Sequence, residues 1–243
     1  MRDYDTLARL RNWALAVEAF RNRLLSQLPR EALALVLPHL VKVPLVLRQP
    51  VEVKRRPIAQ AYFVERGFIS VVTSGRMPAV EIGLIGNEGF AGWPLMLGVS
   101  RSPFDAYVQA AGEASRIDAR VLLECAQKSD ALREVLLKFV YVFFAQVAST
   151  SAAATGTIDQ RLARWLLMAH DRLGTDNIKL THHLLSLMLG VQRPGITLAL
   201  ASLQEKGLIA TTRGDIRLID RAGLESLAGA LYGLAEAELE RLL

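Results

Sequence analysis

Between Thr181 and Gln204 two helix-forming stretches are separated by one glycine, and no other segment of the 243-residue chain restricts the fold so tightly. In the first stretch Leu184, Leu185, Met188 and Leu189 fall at helical spacing, with Thr181 placed to cap the N-terminus. Gly190 then supplies a sharp turn, because glycine accepts a positive φ without the steric cost of a Cβ. In the second stretch Ile196, Ala199, Leu200 and Leu203 stand three and four residues apart and form one inward face. Ser186, four residues before the glycine, is small where two crossing helices approach. The pattern predicts a helix-turn-helix. A helical hairpin that touches no nucleic acid is the alternative. The residues after Gly207 argue against it: Leu208 to Thr212, a turn at Arg213-Gly214-Asp215, and Ile216 to Ile219 read as a β-hairpin wing.

Rotating the second helix by about 100° per residue turns Pro194, Leu198 and Ala201 away from the buried stripe, with Thr197 and Ser202 beside them. A face of this kind suits a DNA major groove. Arg193 is the candidate for two hydrogen bonds to a guanine, and Gln192 for an adenine. Leu198, Ala201 and the Thr197 methyl group suit thymine methyls. Pro194 is harmless there, since first-turn amides have no acceptor within the helix. Arg213 and Arg217 on the wing are candidate phosphate contacts, against the alternative that they are solvated charges. Thr181, His182 and His183 are expected near backbone phosphate or solvent. As neighbours on a helix, the two histidines point about 100° apart and cannot converge as an acid/base pair.

The net charge of +5 would suit a polyanionic partner, yet the segment from Thr157 to Leu243 holds ten Lys and Arg against ten Asp and Glu. The relevant excess is local. From Lys179 to Arg217 there are Lys179, Arg193, Lys206, Arg213 and Arg217 against Glu205 and Asp215.

The rest of the chain divides by periodicity. Leu7 to Leu40 reads as two helices broken at Pro29. From Val43 to about Ile117 short runs rich in Val, Ile and aromatics appear, at Ala61 to Phe63, Phe68 to Val72, Val80 to Ile85 and Ala106 to Ala110. Glycines and prolines separate them, as in a small β-roll or barrel. A short helix is expected at Val121 to Gln127 and a longer one from Ser129 or Asp130. That longer helix carries Leu132, Leu136, Phe139, Phe143 and Val147 at alternating steps of four and three, with Val135 and Val140 widening the stripe. Two partners can cover such a stripe: the chain's own β-roll, or the same helix of a second copy in a parallel dimer. The expected interface of a dimer is Leu132, Leu136, Phe139, Val140, Phe143 and Val147. A hinge is expected near Gly156, and Gln160 to Leu173 as the next helix.

Composition bounds the remaining options. A hydrophobic share of 51% with 22% charged residues is that of a globular chain, and 243 residues favour two domains. No window reads as the long uncharged apolar run of a membrane span, and Met1 to Arg11 lacks an export leader's apolar core, so the cytoplasm is the expected compartment. The single cysteine, Cys125, excludes an internal disulfide framework and a cluster held by four thiolates of one chain. His39, His170, His182 and His183 show no zinc spacing, so no metal is assigned. No phosphate-binding loop, serine elbow or H-E-x-x-H pattern is present, so no catalytic residue is assigned and no enzyme is expected.

Taken in order, these segments resemble the Crp/Fnr family of transcription regulators over nearly the whole length, most firmly from Thr181 to Asp220. The resemblance implies an α+β chain. A sensor domain at 1–128 holds a cyclic-nucleotide-binding-like jelly roll with flanking helices. A dimerisation helix and hinge occupy 129–156, and a winged helix-turn-helix occupies 157–243. It implies a homodimer on a roughly palindromic double-stranded DNA site, with RNA polymerase and a small-molecule effector as further partners. In cyclic-nucleotide-binding members a glycine-glutamate pair takes the ribose and an arginine followed by serine or threonine takes the phosphate. Gly92 is retained here, but Trp93 stands where the glutamate belongs, while Arg101 and Ser102 match the second pair. The missing ribose acceptor speaks against cyclic AMP, and the missing cysteine set against an iron-sulfur sensor. The effector pocket implied by the resemblance is Gly92, Trp93, Arg101 and Ser102, with a sensor that needs no ligand as the alternative.

Overall fold

A computed structural model describes residues 20–73 and 79–243. The first helical stretch expected from Leu7 lies outside the described residues up to position 19. Two short helices follow, α1 (Arg23–Ser26) and α2 (Arg30–Val36), and Pro29 caps the second, where its fixed φ suits a helix start. Six antiparallel strands come next: β1 (Val41–Leu45), β2 (Pro50–Glu52), β3 (Gln60–Thr73), β4 (Val80–Ile85), β5 (Phe90–Ala91) and β6 (Asp105–Asp118). They form one rolled sheet in the order β1-β6-β3-β4, with β2 added on β6 and β5 on β3.

The two runs read separately as Ala61 to Phe63 and Phe68 to Val72 are one 14-residue strand, β3. Gly67 bends this strand without ending it. At φ 76° its missing Cβ leaves room for the carbonyl oxygens of Ala110 and Ala111 on β6, and the register shifts on both sides of it. The sheet stays hydrogen-bonded through the bend, which a sequence-based search for turn residues reads as a break.

Helix α3 (Ala119–Lys128) leads to α4 (Asp130–Ala153), whose start is capped by the Ser129 hydroxyl accepting from Leu132 N–H. Here two expectations change. Leu132, Leu136, Phe139 and Phe143 are 0–2% exposed and face the core of their own roll, so they are unavailable to a second copy. Phe63, Phe90, Phe139 and Phe143 form a continuous aromatic contact from β3 to α4. Val140 and Val147 stay half-buried beside an outer stripe of Leu137, Tyr141 and Phe144, which are 37%, 50% and 67% exposed. The helix is apolar on two faces, and the sheet takes the first. For the same reason Asp130–Ala153 is long and apolar enough to cross a membrane by length and composition, contrary to the expectation that no window is, although a third of that window is buried within the chain.

After residues 154–157, α5 (Ile158–Leu173) begins with a capping box between Thr157 and Gln160. A three-stranded sheet and two helices complete the next part: β7 (Asn177–Lys179), α6 (His182–Leu189), α7 (Arg193–Glu205), β8 (Ile209–Thr212) and β9 (Asp215–Leu218), in the sheet order β7-β9-β8. The third strand β7 and two terminal helices, α8 (Arg221–Ala228) and α9 (Leu234–Leu242), add to the elements expected from sequence. A second core joins α5 to α8 with Phe68 and Leu84 of the roll, so the two halves share buried residues.

Candidate nucleic-acid interface

Gly190 adopts φ 60° and ψ 36° and caps α6, donating its N–H to Leu187 O at 3.2 Å, after which α7 leaves at 106° to α6. Thr181 caps α6 by accepting from Leu184 N–H at 3.2 Å. Leu185, Met188 and Leu189 are buried with Ile196, Ala199, Leu200 and Leu203, while Leu184 is half-buried. Ser186 is buried where α6 and the turn meet, its carbonyl accepting from Val191 N–H at 3.0 Å.

This arrangement leaves the other face of α7 open. Gln192, Arg193, Thr197, Leu198 and Ala201 are all exposed, and Leu198 retains 73% of its surface. Thr181 and His183 are exposed and His182 is half-buried beside them. Arg213 and Arg217 are exposed on the β8–β9 wing, and neither they nor Arg193 has an ion-pair partner among the described residues. Exposed cations without a carboxylate partner among the described residues are the kind a phosphate backbone attracts.

One functional contact escapes sequence reasoning. His182 Nδ1 lies 3.2 Å from Thr197 Oγ1, whose hydroxyl also donates to Arg193 O at 3.2 Å. The histidine therefore orients a residue on the open face of α7. The two residues stand fifteen apart across the turn, a relation that periodicity within one helix does not reveal. Below the helices, Asp159 accepts from Ser202 at 2.6 Å and from Lys206 at 3.2 Å, fixing α7 on α5.

The implied effector residues do not converge. Arg101 reaches across the surface to Arg55 O at 3.0 Å, and the buried Ser102 hydroxyl accepts from Phe104 N–H at 3.1 Å, stapling its own loop. Gly92, at φ 98°, donates its N–H to Glu52 at 2.7 Å, and burial pushes that carboxyl's pKa up. Trp93 alone faces the space between roll and α4, its ring 5.1 Å from Phe143. That space is an apolar groove of about 500 Å³ lined by Ile82, Trp93, Phe104 and the outer stripe of α4. Nothing in it resembles a site for a sugar and a phosphate. Among the described residues no three His, Cys, Asp or Glu side chains cluster in a way that could hold a metal.

A rolled antiparallel sheet, one long helix and a winged helix-turn-helix define the class of fold. Residues 160–227 match the family described as the Crp-like helix-turn-helix domain. The chain is similar in structure to a transcriptional regulator assigned to the Crp/Fnr family from Eubacterium rectale, at 18% identity and a TM-score of 0.66, over 85% of this chain and 97% of that one. It is also similar to FixK2 of Bradyrhizobium japonicum, at 15% identity and a TM-score of 0.68, over 79% and 98% of the two chains. A Crp-family regulator of Thermus thermophilus gives 20% identity and a TM-score of 0.64 over 78% and 98%. No protein of curated function matches the chain by sequence. The chain shares the fold of these regulators, and its residues 160–227 form a Crp-like helix-turn-helix domain.

Proposed function

We propose that the chain acts in the cytoplasm as a homodimeric, sequence-specific DNA-binding transcription regulator, without catalytic activity. The observation that carries this reading is the exposure of Arg193, Thr197, Leu198 and Ala201 on a helix whose opposite face is fully buried. Arg193 reads a guanine, the apolar residues meet thymine methyls, and Arg213 and Arg217 hold phosphates. The two copies pair through Leu137, Tyr141 and Phe144, with Val140 and Val147 at the margin. Steps of four and three suit a parallel helix pair, and these residues are otherwise left in water. Double-stranded DNA with a roughly palindromic site follows from that symmetry, and RNA polymerase is the further partner of such a regulator.

The sensor works without cyclic AMP and without an iron-sulfur cluster. Support for this comes from the outward turn of Arg101 and the apolar lining around Trp93. Either an uncharged small effector enters the groove, or the second copy fills it and no effector is needed; the exposed Phe144 favours the latter. Selection of bound duplex from a random pool tests the whole reading. Enrichment of a two-fold symmetric sequence is expected, with the base read by Arg193 relaxed in Arg193→Ala. Failure to enrich any sequence would sink it.

A further inference from the structure

Strand β4 and the loop after it carry two acidic residues seven apart, Glu81 and Glu88. Helix α5 carries Trp165 and Arg172, also seven apart and therefore on one helical face. The two pairs meet. The Trp165 indole N–H donates to Glu81 Oε1 at 2.6 Å, and Arg172 Nη2 stands 2.7 Å from Glu88 Oε1, with all four side chains buried. Between them the Phe68 ring packs edge-on against Trp165 with centroids 6.3 Å apart. The first helix of the DNA-binding domain is thus fastened to an edge strand of the roll at two points.

We infer that these contacts form a proton-sensitive clasp: protonated Glu81 holds the DNA-binding domain on the roll, and ionised Glu81 loosens it. The clasp rests on the DNA-binding reading for its consequence, since it fixes the direction in which α7 is presented.

The surroundings of Glu81 decide the sign. From β3, Ser70 Oγ stands 2.5 Å from its Oε2, donating to the ionised carboxylate and accepting from the protonated one. From β6, Tyr107 approaches, its own pKa pushed up to about 12 by burial and by the neighbouring carboxyl, and its hydroxyl turned to Met188 of α6. From α5, Arg164 and Arg172 favour the charged form, but both are committed elsewhere. Arg164 donates to Leu231 O and Thr150 Oγ1, and also feels Glu236 of α9, while Arg172 pairs with Glu88. From α4, Gln146 and Thr150 bring no charge. No cation stands within ion-pair distance of Glu81 among the described residues. Burial outweighs the hydrogen bonds and distant arginines and pushes this carboxyl up to about 7.

Lifting α5 from the edge strand would hydrate Glu81 and return it to an ordinary value of 4.5. Between those two values the docked state binds more protons than the released one. Docking is therefore strongest below 4.5, weakens as pH rises through about 7, and is constant above. At tenfold per unit, the docking equilibrium changes by at most about 300-fold across the window.

The test uses the full-length chain and two readouts that involve no DNA. The indole N–H resonance of Trp165, assigned with Trp165→Phe, should titrate between pH 4.5 and about 7. Cleavage of the link at 154–157 by a broad-specificity protease should accelerate as pH rises, after correction for the protease's own profile. Glu81→Gln keeps an acceptor for the indole and a group for Ser70 but cannot ionise, so it should fold normally and flatten both responses. A wild-type resonance that does not move, or a Glu81→Gln chain that responds as wild type does, overturns the clasp. Absence of DNA binding at every pH with both responses intact would instead defeat the regulator reading and leave the clasp standing.

Discussion

At Gly190, φ 60° places the backbone where a Cβ is strained, and such a Cβ would also come within 3.2 Å of Val80 Cγ2 on the roll. The left-handed conformation disfavours other residues by about 1–2 kcal/mol, least for asparagine. Gly190→Ala should accordingly lower unfolding stability by about 1–2 kcal/mol, and Gly190→Asn by less, as read from urea midpoints. Equal losses for the two would show that crowding by Val80, not the dihedral, sets the cost. Arg193 poses the opposite case. It is exposed and makes no ion pair among the described residues, so Arg193→Ala should leave the urea midpoint unchanged while weakening specific DNA binding by about 1–3 kcal/mol. A shared loss in specific and nonspecific binding would demote it from base reader to phosphate contact.

Helix α4 carries two apolar stripes on one rod, and this is where sequence and structure part. Leu132, Leu136, Phe139 and Phe143 repeat at steps of four and three, as do Leu137, Tyr141 and Phe144 one position round. Periodicity identifies both but does not say which one the sheet takes, because that depends on the separation and twist of strands distant in sequence. Leu136→Ala should cost about 2–5 kcal/mol of folding stability, as expected for a cavity in a filled core. Phe144→Glu should cost little in the isolated chain and shift sedimentation from dimer to monomer; a dimer that survives it would move the interface elsewhere. The helix-turn-helix was legible because its constraints are local: a cap at Thr181, a turn at Gly190 and two stripes, all between Thr181 and Gln204. The β-roll was legible as a class but not in its connections, since Gly67 reads as an end and acts as a bend. The implied pocket failed for a related reason. Arg101 and Ser102 sit at the right places in the chain, but side-chain direction depends on loop geometry, and here Arg101 turns outward to Arg55.

At the scale of the molecule, the roll and the helix-turn-helix part are not two beads on a hinge. Phe68 and Leu84 of the roll are buried in the same core as Leu162, Trp165 and Leu166 of α5, and Gln146 of α4 bonds both the N–H and the carbonyl of Leu84, at 2.6 and 3.1 Å. Three elements from both halves therefore converge on one edge strand. Strand β4 itself bulges next to Val71 and Val72, so that Glu81 and Leu84 meet the DNA-binding domain while Ile82 lines the groove. Parts that share a core lose stability together, which predicts a single calorimetric transition for the intact chain at about pH 5, where the Glu81 contact is strong. Trp165→Leu retains apolar volume in the shared core but removes the ring packed on Phe68 and the indole that donates to Glu81, leaving a buried carboxyl short of a partner. In that variant the transition should split, with the lower-melting component assigned to the helix-turn-helix by loss of DNA binding at the same temperature. One undivided transition at a lower temperature would mean that Phe68, Leu84 and Gln146 suffice to bind the halves without the indole. Coupling between the roll and α7 would then lie in the apolar contacts of β4 and not in its buried acids.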